Sequence, residues 1–139
     1  MIAEAMIPRV TIVMSAEPLE PPPVPAVGCG AVVDFCGMVR AEENGEPIAA
    51  LEYQAYRPMA EREMERIARG LLGEFPCVEI YIAHRIGIVP VGGAAIIVRA
   101  SARHRGEAFS FVTGFMDRLK ADVPIWKIRA IPRGAVSSK

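Results

Sequence analysis

Five prolines fall within residues 17–27, EPLEPPPVPAV. Each lacks an amide hydrogen and fixes φ, so this stretch can be neither a helix nor a central strand; it reads as an extended connector. Before it, RVTIVM at 9–14 has the β-branched, apolar make-up of a first strand. After it, GAVVDFCGMV at 30–39 reads as a buried strand. AEENGEP at 41–47 is polar and holds the turn pair Asn44 and Gly45, and IAALEYQA at 48–55 returns as a strand. A hairpin is therefore expected, with Arg40 at its edge. Further prolines cut the rest. Pro58 can open a helix that runs to about residue 74. Ala60, Met64, Ile67, Ala68, Leu71, Leu72 and Phe75 share one face of it, and charged residues cover the remainder. Pro76 marks its end.

VEIYIAHR at 78–85 alternates as a strand does, and AAIIVRA at 94–100 is another; Gly87, Pro90, Gly92 and Gly93 between them read as a turn. A second helix is expected from about 107 to 121, with Ala108, Phe111, Val112, Phe115, Met116 and Leu119 as its apolar stripe. Pro124 disfavours helical geometry at Val123 and stops it. IWKIRAI at 125–131 then alternates, with Ile125, Lys127 and Arg129 on one side. Two helices among about six strands make an α+β protein. Its 139 residues, 52% of them apolar, suit a single domain spanning 1–139, with a short C-terminal tail at 132–139.

Several function classes fall away. No apolar run approaches the roughly 20 residues of a membrane span, and no secretion signal opens the chain. Cys29, Cys36 and Cys77 form no CxxC pair, which argues against a disulfide framework or a zinc site and for buried free thiols in a reducing cytoplasm. No His/Cys/Asp cluster has metal spacing, and no phosphate-binding GxxxxGK[ST] loop is present. His84, in an alternating strand, reads as a core or interface histidine.

Charge is unevenly spread. Residues 1–98 carry 13 acids and 7 bases, whereas residues 99–139 carry 3 acids and 9 bases. The basic C-terminal part suits an anionic ligand but is too small and mixed for nucleic acid. The chain has 13 arginines and only three lysines, Lys120, Lys127 and the terminal Lys139. Lysine, unlike arginine, can lose its proton when desolvated, so a retained lysine is a pointer to amine chemistry. Lys120 sits at a helix end, Lys127 just past a proline turn, Arg40 after a strand, and His104 and Arg105 before a helix. Ends of elements are where ligand-binding groups gather.

Five blocks occur in order: GAVVDFCGMVR (30–40), ALEYQAYRPMAEREM (50–64), HRIGIVPVGG (84–93), HRGEAF (104–109) and LKADVPIWK (119–127). Together they resemble the large subunit of molybdopterin synthase, the MoaE family. The resemblance implies an α/β-hammerhead core with an additional small antiparallel β-subdomain. It implies a homodimer within a heterotetramer, with a small ubiquitin-like sulphur-carrier subunit inserting its Gly-Gly C-terminus. The implied reaction is transfer of thiocarboxylate sulphur to cyclic pyranopterin monophosphate, forming the molybdopterin dithiolene, with no metal or other cofactor. By position, Lys120 and Lys127 match the family's catalytic lysines. Met38, Val39 and Arg40, His104 and Arg105, and Ile128 and Arg129 match its substrate-binding positions.

The sequence also departs from the family. A proline-rich segment stands where relatives carry a helix. Arg129 replaces an acidic residue common two places after the second lysine, and the tail is short, leaving Arg133 as a possible substitute for it. Two alternatives stay open: a non-catalytic relative that binds a Gly-Gly tail without turnover, and a binding protein for another phosphorylated small molecule.

Overall fold

The computed structural model describes residues 7–24 and 28–134. These form eight strands and two helices in the order β1 (Arg9–Ser15), β2 (Ala31–Met38), β3 (Glu42–Glu43), β4 (Glu46–Ala55), α1 (Met59–Glu74), β5 (Glu79–Arg85), β6 (Gly87–Pro90), β7 (Ala94–Ala102), α2 (Arg105–Asp122) and β8 (Ile125–Pro132). The first sheet runs β1-β5-β7-β2, with β1 parallel to β5 and the other pairs antiparallel. In the second, β4 pairs antiparallel with β3, β6 and β8. The α+β expectation holds, including the added antiparallel sheet. No described helix is long and apolar enough to cross a membrane.

Both helices pack on the first sheet, α1 against β1 and α2 across β7 and β2. Met64, Ile67 and Leu71 of α1 meet Phe111, Phe115 and Leu119 of α2 over Ile80, Ile82, Val98 and Ala100. The rings of Phe111 and Phe115 stack with centroids 6.3 Å apart. A second, smaller core gathers Val39, Ile48, Leu51, Val89 and Ala95 beneath the second sheet. The outward face of α1 is laced by Arg57–Glu61, Glu63–Arg66 and Glu65–Arg69 pairs at helical spacing.

β1 and β2 lie at opposite edges of the first sheet, so the proline connector must cross three strand spacings, about 14 Å. Its described part, residues 17–24, has no regular structure. Arg99 of the inner strand β7 fastens it: Nη1 donates to the carbonyls of Pro22 (2.6 Å) and Pro23 (3.1 Å), while Nε and Nη2 grip Asp34 of β2 at 2.7 and 3.0 Å. Val98 and Ala100 belong to the helix-side core. Arg99, between them, therefore faces the other side, and the connector crosses the face that the helices leave bare.

Four expectations are corrected. The strand at 30–39 is not buried throughout. It is an edge strand, and Asp34, Phe35, Cys36 and Met38 are exposed. It does not form a hairpin with 48–55; it pairs with β7, and the hairpin is the shorter β3–β4. The glycine- and proline-bearing segment after β5 is partly a strand, β6, because β4 offers it a partner over Leu51–Val89 and neighbouring pairs. Of the three free cysteines only Cys77 is buried, and desolvation, helped by Glu107, pushes its thiol up to about 11. It is thus an inert core thiol at neutral pH.

Candidate active site

A cleft of about 480 Å³ opens where the two cores meet, within the usual range for small-ligand sites. Phe35, Gly37 and Met38 of β2, with Ala95 and Ile96 of β7, form one wall. Met116, Leu119 and Lys120 of α2 form another, and Tyr53 of β4 with Ile125 and Lys127 of β8 close the third; His84 of β5 also lines it. The wall on β2 depends on Gly37, since a Cβ there would meet Ile96 Cγ2 at 2.8 Å. The β2–β7 register slips just beyond it, between Gly37 and Met38. Bulges of this kind re-aim side chains beside functional sites.

Lys120 reaches the cleft from the last turn of α2. The helix dipole favours a cation there, and no carboxylate among the described residues lies within salt-bridge distance of it. Pro124 and the turn around it let the chain double back, so that Lys127 arrives on the same cleft from β8. Its Nζ lies 3.4 Å from Glu43 Oε2. Two lysine side chains from different elements, both exposed, thus share one cleft of mixed polar and apolar lining.

His84 is the cleft residue to which sequence reading gave no site role. It is 5% exposed, as a core histidine would be, yet it lines the cleft. Its Nδ1 lies 2.8 Å from the Arg85 carbonyl oxygen, which can only accept, so Nδ1 carries the proton. In the neutral ring Nε2 is then a bare acceptor. Desolvation holds the imidazole below its usual range, and the Arg85 carbonyl only partly opposes this. Tyr53 packs edge-on against the ring at 5.3 Å. Its hydroxyl is pushed up from the ordinary tyrosine value by burial first and by the charge of Glu43 second. The signal for His84 was present in the alternation of β5: a polar side chain on the inward face of a strand needs a reason to be there.

The other expected site residues scatter. Met38 lines the cleft, half exposed. Val39 is buried in the smaller core, its amide donating to Gly93 at 3.0 Å. Arg40 is exposed and lines a separate shallow depression with Glu42, Asn44 and Gly45. Ile128 and Arg129 are exposed and absent from the cleft wall. The expectation that Lys127 and Arg129 share a face fails at a bulge. Lys127 pairs with Tyr53 and Arg129 with Glu52, adjacent residues of β4 that point to opposite faces. Arg129 is held by Glu52 at 2.6 Å on the far side. His104, at the N-cap of α2 without a side-chain capping bond, and Arg105 are exposed at the opposite end of the helix from Lys120. Fifteen residues of helix separate Arg105 from Lys120 by about 22 Å. Arg133 is exposed beyond β8, and the rest of the tail, with Lys139, lies outside the described residues.

The fold and the cleft define an α+β protein with two lysines on one cleft at the junction of two sheets. The chain belongs to the MoaE protein family, whose profile matches residues 14–122. It is 42% identical over 99 residues to the human protein named molybdopterin synthase catalytic subunit, covering 71% of this chain and 53% of that one. It is 44% identical over 105 residues to the Pyrococcus abyssi protein of the same name, covering 76% and 71%. The chain spans about half the length of the human, bovine and rat relatives it matches. Among solved structures, molybdopterin synthase from Staphylococcus aureus superposes with a TM-score of 0.75 at 32% identity, covering 88% of this chain and 90% of that one. A Helicobacter pylori complex of subunits 1 and 2 of molybdopterin-converting factor shares the fold, with a TM-score of 0.64 at 20% identity and 89% of each chain covered.

Proposed function

We propose that this chain is the catalytic subunit of a molybdopterin synthase. In this reading it transfers sulphur from the thiocarboxylated Gly-Gly C-terminus of a small ubiquitin-like partner to cyclic pyranopterin monophosphate. The observation that carries the reading is the convergence of Lys120 and Lys127, from a helix end and a strand, on one cleft that also holds a neutral histidine. Family membership and the names of the relatives support it.

The chemistry fits the groups present. Attack at a thiocarboxylate or release of its sulphur passes through a charged tetrahedral centre, and a lysine ammonium placed beside it stabilises that charge. Lys127, tethered to Glu43, suits charge stabilisation; Lys120, with no carboxylate partner among the described residues, suits proton transfer or transient covalent assistance. His84 Nε2 offers a hydrogen-bond acceptor to the same substrate. Arg40, two residues past Met38 on the cleft wall, is free to grip a phosphate through paired N–H donors. His104 and Arg105 lie too far along α2 to touch a ligand beside Lys120 of their own chain. If they serve substrate, they serve the cleft of a second copy, which is the role a homodimer within a heterotetramer gives them.

The test is reconstitution with a thiocarboxylated small subunit and cyclic pyranopterin monophosphate. Lys120→Ala is expected to lower the rate at least about a hundredfold, with unchanged circular dichroism and melting temperature. Near-normal turnover in that variant would remove the assigned role. A wild-type chain that binds the small subunit but forms no product would make it a non-catalytic member of the family.

A further inference from the structure

The ion pair between Lys127 and Glu43 joins residues 84 positions apart, and the ribbon is shaped to make it. Glu43 faces Glu46 across the β3–β4 hairpin, and Lys127 faces Tyr53 across the β4–β8 pairing. Along a straight β4, Glu46 and Tyr53 would stand about 23 Å apart, beyond the combined reach of a glutamate and a lysine. Two register shifts, at Ile48/Ala50 and Glu52/Tyr53, lie between them. Bulges bend and twist a strand, and here the curl brings the hairpin back to the cleft. The hairpin tip is equally determined: Asn44 at φ 53° and Gly45 at φ 81° form the two-residue left-handed turn that fixes where Glu43 sits.

Stability does not account for this arrangement. The side chains of Lys127 and Glu43 are 48% and 24% exposed, and pairs so placed add about 1 kcal/mol at most. Glu43 also lies close enough to Tyr53 of the cleft wall to help burial push its hydroxyl up. The two cleft lysines are thus unlike: Lys120 has no carboxylate partner among the described residues, and Lys127 has one.

Building on the proposed function, we infer that Glu43 is a positioning residue for that site: it holds the Lys127 ammonium in place in the empty cleft and yields it to an anionic group of the incoming substrate. Glu43 then has two opposed effects. It orders Lys127, which favours the reaction, and it competes with the anion for the same ammonium, which weakens ground-state binding. Loss of the carboxylate separates the two.

Glu43→Gln preserves size and removes charge. The side-chain order of Lys127, read by NMR relaxation at its ε-methylene, is expected to fall to that of Lys120, and titration with inorganic phosphate is expected to show severalfold tighter binding. In the transfer assay KM for the phosphorylated acceptor falls severalfold while kcat also falls, by about tenfold; a loss of folded protein would leave KM unmoved. Glu43→Asp should restore part of both effects, and Glu63→Gln, which breaks a similar exposed pair on α1, should change neither. Unchanged Lys127 order and unchanged phosphate affinity in Glu43→Gln would overturn the inference. Absence of sulphur transfer in the wild type would instead overturn the proposed function, because the relaxation and phosphate measurements need no turnover.

Discussion

In the first sheet the Arg99 guanidinium is enclosed, two nitrogens on Asp34 and a third on the Pro22 and Pro23 carbonyls. In the second sheet Lys127 and Arg129 each reach a single glutamate, with side chains 48% and 63% exposed. The difference separates two uses of charge. Arg99 places four of its five N–H donors on protein acceptors and is almost wholly buried, which leaves little of it to meet a ligand. Its bonds to Asp34, foremost, hold it more firmly protonated than a free arginine, and it ties the proline connector to an inner strand. Lys127 is held by one exchangeable contact at the mouth of a cavity. The helix-covered sheet supplies a buried frame, the smaller sheet supplies a half-exposed cation, and the cleft lies where they meet.

The most damaging way to test this division is to hollow the larger core. Phe111 is fully buried and stacked on Phe115. Phe111→Ala is expected to cost about 4 kcal/mol in chemical denaturation, while the rate per folded molecule stays close to wild type. A selective loss of rate without loss of stability would break the division. The next effect is at the clamp. Asp34→Ala strands a buried guanidinium and is expected to cost about 3 kcal/mol. Glu52→Gln, which breaks the exposed Arg129 pair, should cost about 0.5 kcal/mol. Equal losses at the two sites would mean that the burial contrast has no energetic weight.

The same contrast governs what could be read in advance. Helix α1, helix α2 and strands β1, β5 and β7 were legible because each buries a continuous periodic face against the larger core. β6 was not, because its four residues include a glycine and a proline and become a strand only through β4. The exposure of Phe35 and Met38 is a property of β2's place at the sheet edge, which local composition does not encode. The bulge that turns Arg129 away from Lys127 likewise arises from pairing, whereas strict alternation put the two on one face. Lys120 and Lys127 were singled out by the LKADVPIWK block more than by their own physics, since charge and helix position alone fitted a solvated lysine as well. The distance from His104 and Arg105 to Lys120 was already implicit in the length of the expected second helix. Glu43, by contrast, could be found only in three dimensions.

The smallest effect concerns His84, and it probes the boundary between the two regions. Its imidazole is held below the usual histidine value by burial, so the folded state binds that proton less readily than the unfolded chain does. Near pH 6.5 and below, the unfolded state begins to take up a proton that the folded state refuses. Stability from this residue is therefore full above about pH 6.5. It declines as the pH falls toward the lowered folded value and levels off once that value is passed. His84→Gln keeps a donor for the Arg85 carbonyl but does not titrate, so its melting temperature should fall less than that of the wild type between pH 7 and pH 5. Protonation would also add a third cation beside Lys120 and Lys127 and remove the Nε2 acceptor, so the sulphur transfer proposed for this cleft should decline over the lower part of the same window. Parallel melting curves for the two proteins would mean that the histidine keeps its ordinary proton affinity, and that its surroundings are wetter than its 5% exposure implies.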